Sequence, residues 1–207
     1  MNWIKEGTTL RGEIVDLLPL SEQHFDELES LARDHRIWEF ISVDMSSPEK
    51  CRVTFIQALK EREKGTQFPF VIYHKNEKRI IGCTRLMEMV PEHKKLEIGW
   101  TWLHPDHWAT SVNPECKLLL LTFCFEELKT NRVQLKTDEN NIRSRTAIQK
   151  IGGRYEGFFR QDHIRDNGTI RNTVYFSIIK NEWENVKVNL SALFQKSKIK
   201  NERHHLS

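Results

Sequence analysis

The pattern of apolar and polar residues divides the chain into a series of predicted strands and helices. Residues 12–20 form a β-rich segment that ends after a proline, and the segment after Ser21 carries apolar residues at helical spacing. A second helix begins at Ser47-Pro48 and ends near Gly65, because serine is a favoured N-cap and proline is tolerated in the first turn of a helix.

Three strands are predicted next, over residues 68–74, 79–89 and 95–104. In the third of these, apolar and polar or small side chains alternate, as in a strand with one apolar face. A helix over 114–129, a strand over 132–138 and a short helix over 142–153 follow. The last two strands meet at Asp166-Asn167-Gly168, a sequence typical of a tight hairpin.

This order of elements predicts an α+β (mixed α/β) fold with one central sheet. The length of 207 residues fits one domain with an appendage. We expect the domain to span residues 8–184, and residues 185–207 to form a docked C-terminal helix and a polar tail that frays.

Composition narrows the classes of function. The net charge of +3 comes from 32 basic and 29 acidic residues spread along the chain, which argues against a nucleic-acid partner. No apolar run approaches the roughly 18 residues that a membrane span requires, and the N-terminus lacks the apolar core of a signal peptide. The four cysteines have no metal-binding or CxxC spacing, so we expect free, mostly buried thiols and a cytoplasmic protein without a membrane partner.

A polar loop without glycine precedes the helix predicted at 114, with the sequence HPDHWATSVN over residues 104–113. The first turn of a helix leaves N–H groups unpaired, and the helix dipole favours an anion there. The same residues would serve equally as an ordinary connection that caps a core helix. Taken alone, the loop leaves both interpretations open.

Several segments occur in an order that resembles the GNAT acetyltransferases. They are LEIGWTWLHPDHW (96–108), RVQLKTDENNIRSRTAIQKIGGRYEGFFR (132–160) and RNTVYFSIIKNEW (171–183), and the resemblance extends over about residues 8–184. The RimJ/RimL-like branch, which acetylates bacterial ribosomal-protein N-termini, is the most similar. The resemblance implies a single GNAT-type domain with a mostly antiparallel seven-stranded sheet whose fourth and fifth strands splay apart.

The resemblance also implies a reaction. Acetyl-CoA would enter the splay as cosubstrate, and a primary amine on a protein N-terminus or a small molecule would attack the thioester directly, without an acyl-enzyme. Homodimers are common in the family, so a homodimer is one expected assembly. The amine acceptor is not identified by the sequence. A catalytically weak or silent GNAT-fold module that binds CoA or another protein is the alternative, motivated by the altered loop.

The cofactor-binding residues implied by the resemblance lie mainly on the fourth strand and the loop after it. Pantetheine amides would pair with the strand that holds Trp100, Trp102 and Leu103, and the pyrophosphate would bind the loop, namely Trp108, Ala109, Thr110, Ser111, Val112 and Asn113. The family loop reads Q/R-x-x-G-x-G/A, and serine at position 111 replaces its first glycine. If residue 111 requires a positive φ, serine costs about 1 kcal/mol.

Two residues are candidates for the chemistry. Glu97 is the predicted base, since an ammonium must lose a proton before it attacks, although a solvated strand carboxylate is the simpler interpretation and Glu88 is a second candidate. By resemblance, Ser144 faces the CoA sulfur, and Asn141 holds the pantetheine arm or orders its loop. Ser144 would otherwise be a helix residue that satisfies backbone groups.

The remaining candidate residues are arginines that could bind phosphate and histidines that could bind a metal. Arg145 and Arg143 could meet phosphates, and Arg145 is included among the cofactor-binding residues. His104 and His107 are three residues apart but flank a proline and have no third ligand nearby in sequence, so no metal is expected.

Overall fold

The computed structural model describes residues 3–205, and their side chains as far as Asn201. In this range the chain forms eight strands and five α-helices. The strands are β1 (Leu10–Arg11), β2 (Val15–Pro19), β3 (Phe68–His74), β4 (Arg79–Val90), β5 (Lys95–Leu103), β6 (Arg132–Asp138), β7 (Arg154–Ile164) and β8 (Ile170–Ile179). The helices are α1 (Phe25–Ala32), α2 (Pro48–Glu63), α3 (Val112–Thr122), α4 (Ile142–Lys150) and α5 (Trp183–His205).

All strands belong to one sheet in the order β1-β2-β3-β4-β5-β6-β8-β7. Every neighbouring pair is antiparallel except β5 and β6, which are parallel. The predicted mixed α/β fold with a mostly antiparallel sheet is therefore confirmed. The sheet has eight strands rather than seven, because Leu10–Arg11 adds a two-residue edge strand to β2.

The predicted splay lies between β5 and β6. These strands pair only from Lys95 to Glu97 on β5, opposite Arg132 to Gln134 on β6. Beyond that point, residues 98–103 of β5 and 135–138 of β6 no longer pair with each other. A bulge at Trp100, whose φ is 50°, interrupts the pairing of β5 with β4 near the same place.

Helices cover the sheet on two faces, each with its own apolar core. One core joins the sheet to α3, α4 and α5, and includes Cys116, Leu120 and Leu190. The other joins it to α1 and α2, and includes Phe25 and Phe55. The sheet is therefore a middle layer that holds the start of α3 on one face and α1 and α2 on the other.

A buried carboxylate positions the beginning of α3. Glu115 lies in the first turn of the helix and accepts hydrogen bonds from the backbone N–H groups of Ile14 at 2.9 Å and Val15 at 2.8 Å, and from that of Glu13. Carboxylates bound by several N–H groups form strong, charge-assisted hydrogen bonds. This contact ties the N-terminal loop to α3 and so fixes the loop that precedes the helix.

Two predicted helix boundaries differ from the structure. The third helix begins at Val112 rather than at residue 114, because Ser111 occupies the N-cap position, and it passes into a π-helical turn over Phe123–Glu127. The last helix continues to His205 without a break, although fraying was expected. Its polar end is docked, since Lys198 pairs with Glu13 and Asn201 bonds to Ser111.

Two expectations from composition can be compared with the fold. All four cysteines are free and buried, as predicted. Among residues 3–205, none of the helices is both long and apolar enough to cross a membrane.

Candidate active site

The splay exposes a backbone edge that no other strand occupies. From residue 98 to 103, β5 pairs with β4 on one side only, so its groups facing β6 have no strand partner. Unpaired N–H and C=O groups along a strand can accept an extended ligand as an additional strand. The loop before α3 lies at one end of this edge, and the start of α4 follows β6 on the opposite side.

Positive φ falls on a different residue of the loop than the family pattern suggested. Ala109 has a φ of 59°, whereas Ser111 has a φ of −71° and a right-handed conformation. The serine that replaces glycine is therefore unstrained. Its buried hydroxyl accepts a hydrogen bond from the Asn201 side chain at 3.2 Å, so α5 packs against this loop.

The first turn of α3 offers fewer free N–H groups than an ideal helix start. Pro114 occupies its third position and has no N–H group, and the N–H of Val112 donates to the Thr110 hydroxyl at 3.3 Å. Thr110 in turn donates to the carbonyl of His107 at 2.8 Å. Asn113 is the second residue of α3 and is partly exposed, beside this hydrogen-bonded turn.

The two tryptophans of β5 pack against other side chains of the protein. Trp102 is buried against Trp38 in the core beneath α1 and α2, so its indole lies away from the splay. The ring of Trp100 lies over the guanidinium of Arg85, with 4.3 Å between Cζ and the ring centre. The side chain of Leu103 is in the other core, so Trp102 and Leu103 offer the splay only their backbone.

Trp108 connects the loop to both sides of the splay. Its Nε1 donates to the carbonyl of Leu103 on β5 at 2.9 Å. The guanidinium of Arg143, from α4, stacks on its ring at 3.6 Å. Arg143 was considered only as a phosphate contact from sequence, and its stacking on Trp108 could not be seen there.

Glu97 lies at the point where β5 and β6 part. It is 1% exposed, and its Oε2 accepts a hydrogen bond from Gln134 at 3.0 Å and lies 3.1 Å from Lys136 Nζ. Its Oε1 lies above Gly99, close enough that a Cβ added there would be 2.7 Å away. Glu97 is therefore a buried, ion-paired carboxylate rather than a solvated one. Glu88 is exposed at a bulge of β4, with a φ of 49°.

The start of α4 is organised by Asn141 and Arg145. The Asn141 side chain caps the helix by accepting the backbone N–H of Ser144 at 2.9 Å. Arg145 donates to the carbonyl of Glu139 at 2.9 Å, which holds the turn after β6. These contacts order the turn and leave the half-exposed Ser144 in the first turn of α4.

A polar surface beside Glu97 is formed by residues that the sequence reasoning missed. Lys136 on β6 is the cross-strand partner of Tyr175 on β8, and Asp138 that of Thr173. Arg165 and Arg171 both pair with the buried Asp138. Burial and the nearby Asp162 raise the pKa of Tyr175 to about 12. Polar side chains at every second position of β6 and β8 are the signal that could have revealed this surface.

The turn between β7 and β8 reaches across to the loop between α1 and α2. The N–H of Asp166 donates to the Ser42 carbonyl at 3.0 Å, and Lys50 pairs with the Asp166 carboxylate at 3.0 Å. Arg171 donates to the Ser42 hydroxyl at 3.1 Å. These contacts join two segments that are distant in sequence, and Arg171 belongs both to them and to the polar surface, since it also pairs with Asp138.

Comparison with known proteins agrees with this architecture. Residues 15–154 match the family described as Acetyltransferase (GNAT) domain. The Bacillus subtilis protein named "Putative ribosomal N-acetyltransferase YdaF" is 32% identical over 108 residues, which are 52% of this chain and 58% of that protein. The chain therefore matches less than two thirds of this relative.

Two solved structures share the fold over most of their length. A GCN5-related N-acetyltransferase from Brucella melitensis has a TM-score of 0.84 at 25% identity, covering 92% of this chain and 86% of that one. Mycobacterium smegmatis RimJ, solved with a CoA-disulfide, has a TM-score of 0.77 at 18% identity, covering 91% and 95%. The second likeness concerns the fold alone.

Proposed function

Because the chain belongs to the GNAT acetyltransferase family, we propose that it transfers an acetyl group from acetyl-CoA directly to a primary amine, on a protein N-terminus or a small molecule. The observation that carries the proposal is the parting of β5 and β6 just after Glu97 and Gln134. It combines a free strand edge, the start of α3 and a buried carboxylate in one place.

The free edge of β5 fits an amide-bearing arm such as pantetheine. Residues 98–103 would pair with it as a strand does. Backbone amides of residues 109–113, other than that of Val112, would bind the pyrophosphate at the start of α3. The fold neighbour solved with a CoA-disulfide supports this choice of ligand. Acetyl-CoA supplies the thioester, and all further steps depend on groups of this chain.

In this proposal Glu97 takes a proton from the attacking ammonium, directly or through water. Its Oε2 is engaged by Gln134 and Lys136, so Oε1 is the oxygen available to a proton. The amine nitrogen then bonds to the acetyl carbon as the carbon–sulfur bond breaks. The Ser144 hydroxyl, in the first turn of α4, would donate a hydrogen bond to the departing thiolate.

One observation favours a second candidate function. The ion pair with Lys136 occupies part of the Glu97 carboxylate and would weaken it as a base. A catalytically silent module that binds CoA through the same splay would retain every other feature described. The two functions differ in whether bound acetyl-CoA loses its acetyl group to an amine.

A titration of acetyl-CoA by calorimetry, followed by a free-thiol release assay over small amines and short peptides, separates these functions. Binding with amine-dependent thiol release supports the enzyme, whereas binding without release for any acceptor supports the silent module. Absence of binding at millimolar acetyl-CoA would overturn both. In the active enzyme, Glu97→Gln lowers kcat by about a hundredfold or more with unchanged acetyl-CoA affinity.

Ser144→Ala lowers kcat in the same way, since it removes a donor that acts on the leaving group. The matched control is Glu92→Gln, which neutralises an exposed carboxylate in the turn between β4 and β5 and leaves kcat unchanged. Full activity of Glu97→Gln across pH 6–9 would exclude Glu97 as the base.

A further inference from the structure

Three potential metal ligands meet outside the splay. His74 ends β3, Glu77 lies in the turn between β3 and β4, and His107 lies in the turn after β5. One ligand atom from each lies within 4.8 Å of the other two. Sequence reasoning found no third ligand for His107 because its two partners are about thirty residues earlier in the chain.

The spacing of these atoms fits a shared ion better than hydrogen bonds. His74 Nδ1 lies 3.5 Å from Glu77 Oε1, and His107 Nε2 lies 3.6 Å from Glu77 Oε2. Both separations exceed the roughly 3.2 Å limit of ordinary hydrogen bonds. Ligands about 2.0–2.1 Å from a tetrahedral ion are about 3.3 Å apart. The two separations from Glu77 are close to this value, and the two imidazoles, whose ligand atoms lie within 4.8 Å, would move closer together around an ion.

His107 also has a buried nitrogen without a partner. The residue is 7% exposed, and within the described part of the chain its Nε2 makes no hydrogen bond. An unsatisfied buried polar atom is costly, which calls for an unseen partner. Burial lowers the pKa of His107.

Other charged and polar groups act on the same cluster. Arg79 lies 2.6 Å from Glu77 Oε2 and would compete with a metal for that oxygen. The N–H of Glu77 donates to His74 Nδ1 at 3.3 Å, a long bond that engages the nitrogen only weakly. Asp106 and the His74 ring also face His107, the ring at a centroid distance of 5.4 Å.

We propose that His74, Glu77 and His107 bind one divalent transition-metal ion, with zinc best matched by two imidazoles and a carboxylate. Three protein ligands leave a fourth position for water. The ion would connect the β3–β4 turn to His107, at the beginning of the loop before α3. The Thr110 hydroxyl in this loop donates to the His107 carbonyl. The site would hold the loop in place without touching the reacting atoms.

The test uses the full chain with His204 and His205 replaced by alanine, so that two further histidines cannot contribute. After dialysis against a chelator, Zn²⁺ is titrated by calorimetry, and Co²⁺ is followed by its visible absorption, which reports coordination geometry. We expect one equivalent of metal, a tetrahedral Co²⁺ spectrum and a raised Tm. No stoichiometric binding, or an octahedral Co²⁺ spectrum, would overturn the proposal.

Variants then assign the ligands. His74→Ala, Glu77→Gln and His107→Ala should each weaken Zn²⁺ binding at least tenfold. Glu77 is exposed, so Glu77→Gln is the ligand variant that disturbs the fold least. His93→Ala removes an exposed histidine elsewhere and should change nothing. Arg79→Ala should tighten binding by removing the competing cation. Equal affinity of the ligand variants and the parent would overturn the assignment.

Discussion

The guanidinium of Arg143 lies over the indole of Trp108, with 3.6 Å between its Cζ and the ring centre. Arg143 belongs to the first turn of α4, after β6, and Trp108 to the loop after β5. The pair therefore bridges the two sides of the splay at the end where the loop before α3 lies.

We expect Arg143 to leave Trp108 and bind a phosphate group when acetyl-CoA enters. An exposed cation–π contact contributes about 0.5–1 kcal/mol, whereas charge-assisted bonds from Arg to phosphate are stronger. Arg143→Ala should raise the acetyl-CoA Kd about tenfold, which is 1.4 kcal/mol. Arg160→Ala, which removes an exposed arginine of β7, is the control and should leave Kd unchanged. Tighter binding by Arg143→Ala would instead identify the pair as a barrier to entry.

Glycine substitutions in the loop should have opposite effects at two positions. Ala109 adopts a φ of 59°, so Ala109→Gly relieves strain and should stabilise the fold by up to about 1 kcal/mol. Ser111→Gly gains no such relief and loses the hydrogen bond from Asn201, so it should destabilise by about 1 kcal/mol. Urea unfolding of both variants measures the difference. A more stable Ser111→Gly would contradict the assigned backbone conformation.

Gly99 should be required for the position of the Glu97 carboxylate. A Cβ at residue 99 would lie 2.7 Å from Glu97 Oε1 and 2.7 Å from Met87 Sδ. Because Gln134 and Lys136 hold Oε2, Gly99→Ala should displace Oε1, lowering kcat at least tenfold and stability by about 1–3 kcal/mol.

Adding Met87→Ala to Gly99→Ala distinguishes the clash with the Met87 sulfur from the clash with the Glu97 carboxylate. It removes the sulfur contact but not the carboxylate contact of Gly99→Ala. If the double variant recovers full kcat, the loss came from core strain, and the role given to Gly99 is wrong. If the double variant recovers stability but its kcat stays low, the result supports the role given to Gly99.

The sequence predicted the order of strands and helices and the position of the loop before α3. Alternating apolar residues and helix-capping residues are local signals that can be read without the fold. The sequence did not predict that Lys136 pairs with Glu97, since neither strand alone shows how β5 and β6 are aligned with each other. Nor did it predict the docked end of α5. The helix retains its polar end through contacts with residues 13 and 111, which lie about 90 or more positions away.

The backbone conformation of the loop before α3 could not be predicted from the sequence either. The missing glycine at position 111 suggested strain there, but the residue with a positive φ is Ala109. The pattern of residue types does not determine which loop residue adopts a positive φ. The cluster of His74, Glu77 and His107 could not be predicted either, because the sheet brings the turn after β3 next to the turn after β5, about thirty residues later in the chain.

Lys117 should make stability depend on pH in the alkaline range. It is 6% exposed on α3, with Nζ donating to the Thr101 hydroxyl at 2.7 Å, and burial lowers its pKa to about 8. The unfolded chain, with a lysine pKa of about 10.4, keeps a proton that the folded chain has lost between these values, so this group makes stability rise with pH there. Below pH 8 both states are protonated and the cost of burying the charge is fully present.

Replacing this lysine with an apolar side chain of similar length removes that cost. Lys117→Met should therefore raise the free energy of unfolding at pH 7 by about 1–3 kcal/mol, and its advantage should shrink between pH 8 and pH 10. Thr101 keeps its 2.7 Å hydrogen bond with Thr84, so no new unsatisfied hydroxyl arises. Urea unfolding of variant and parent at pH 7 and pH 10 measures the contribution of Lys117 together with its coupling to the neighbouring Cys116. A difference that stays constant from pH 7 to pH 10 would show that Lys117 keeps its ordinary pKa in the fold.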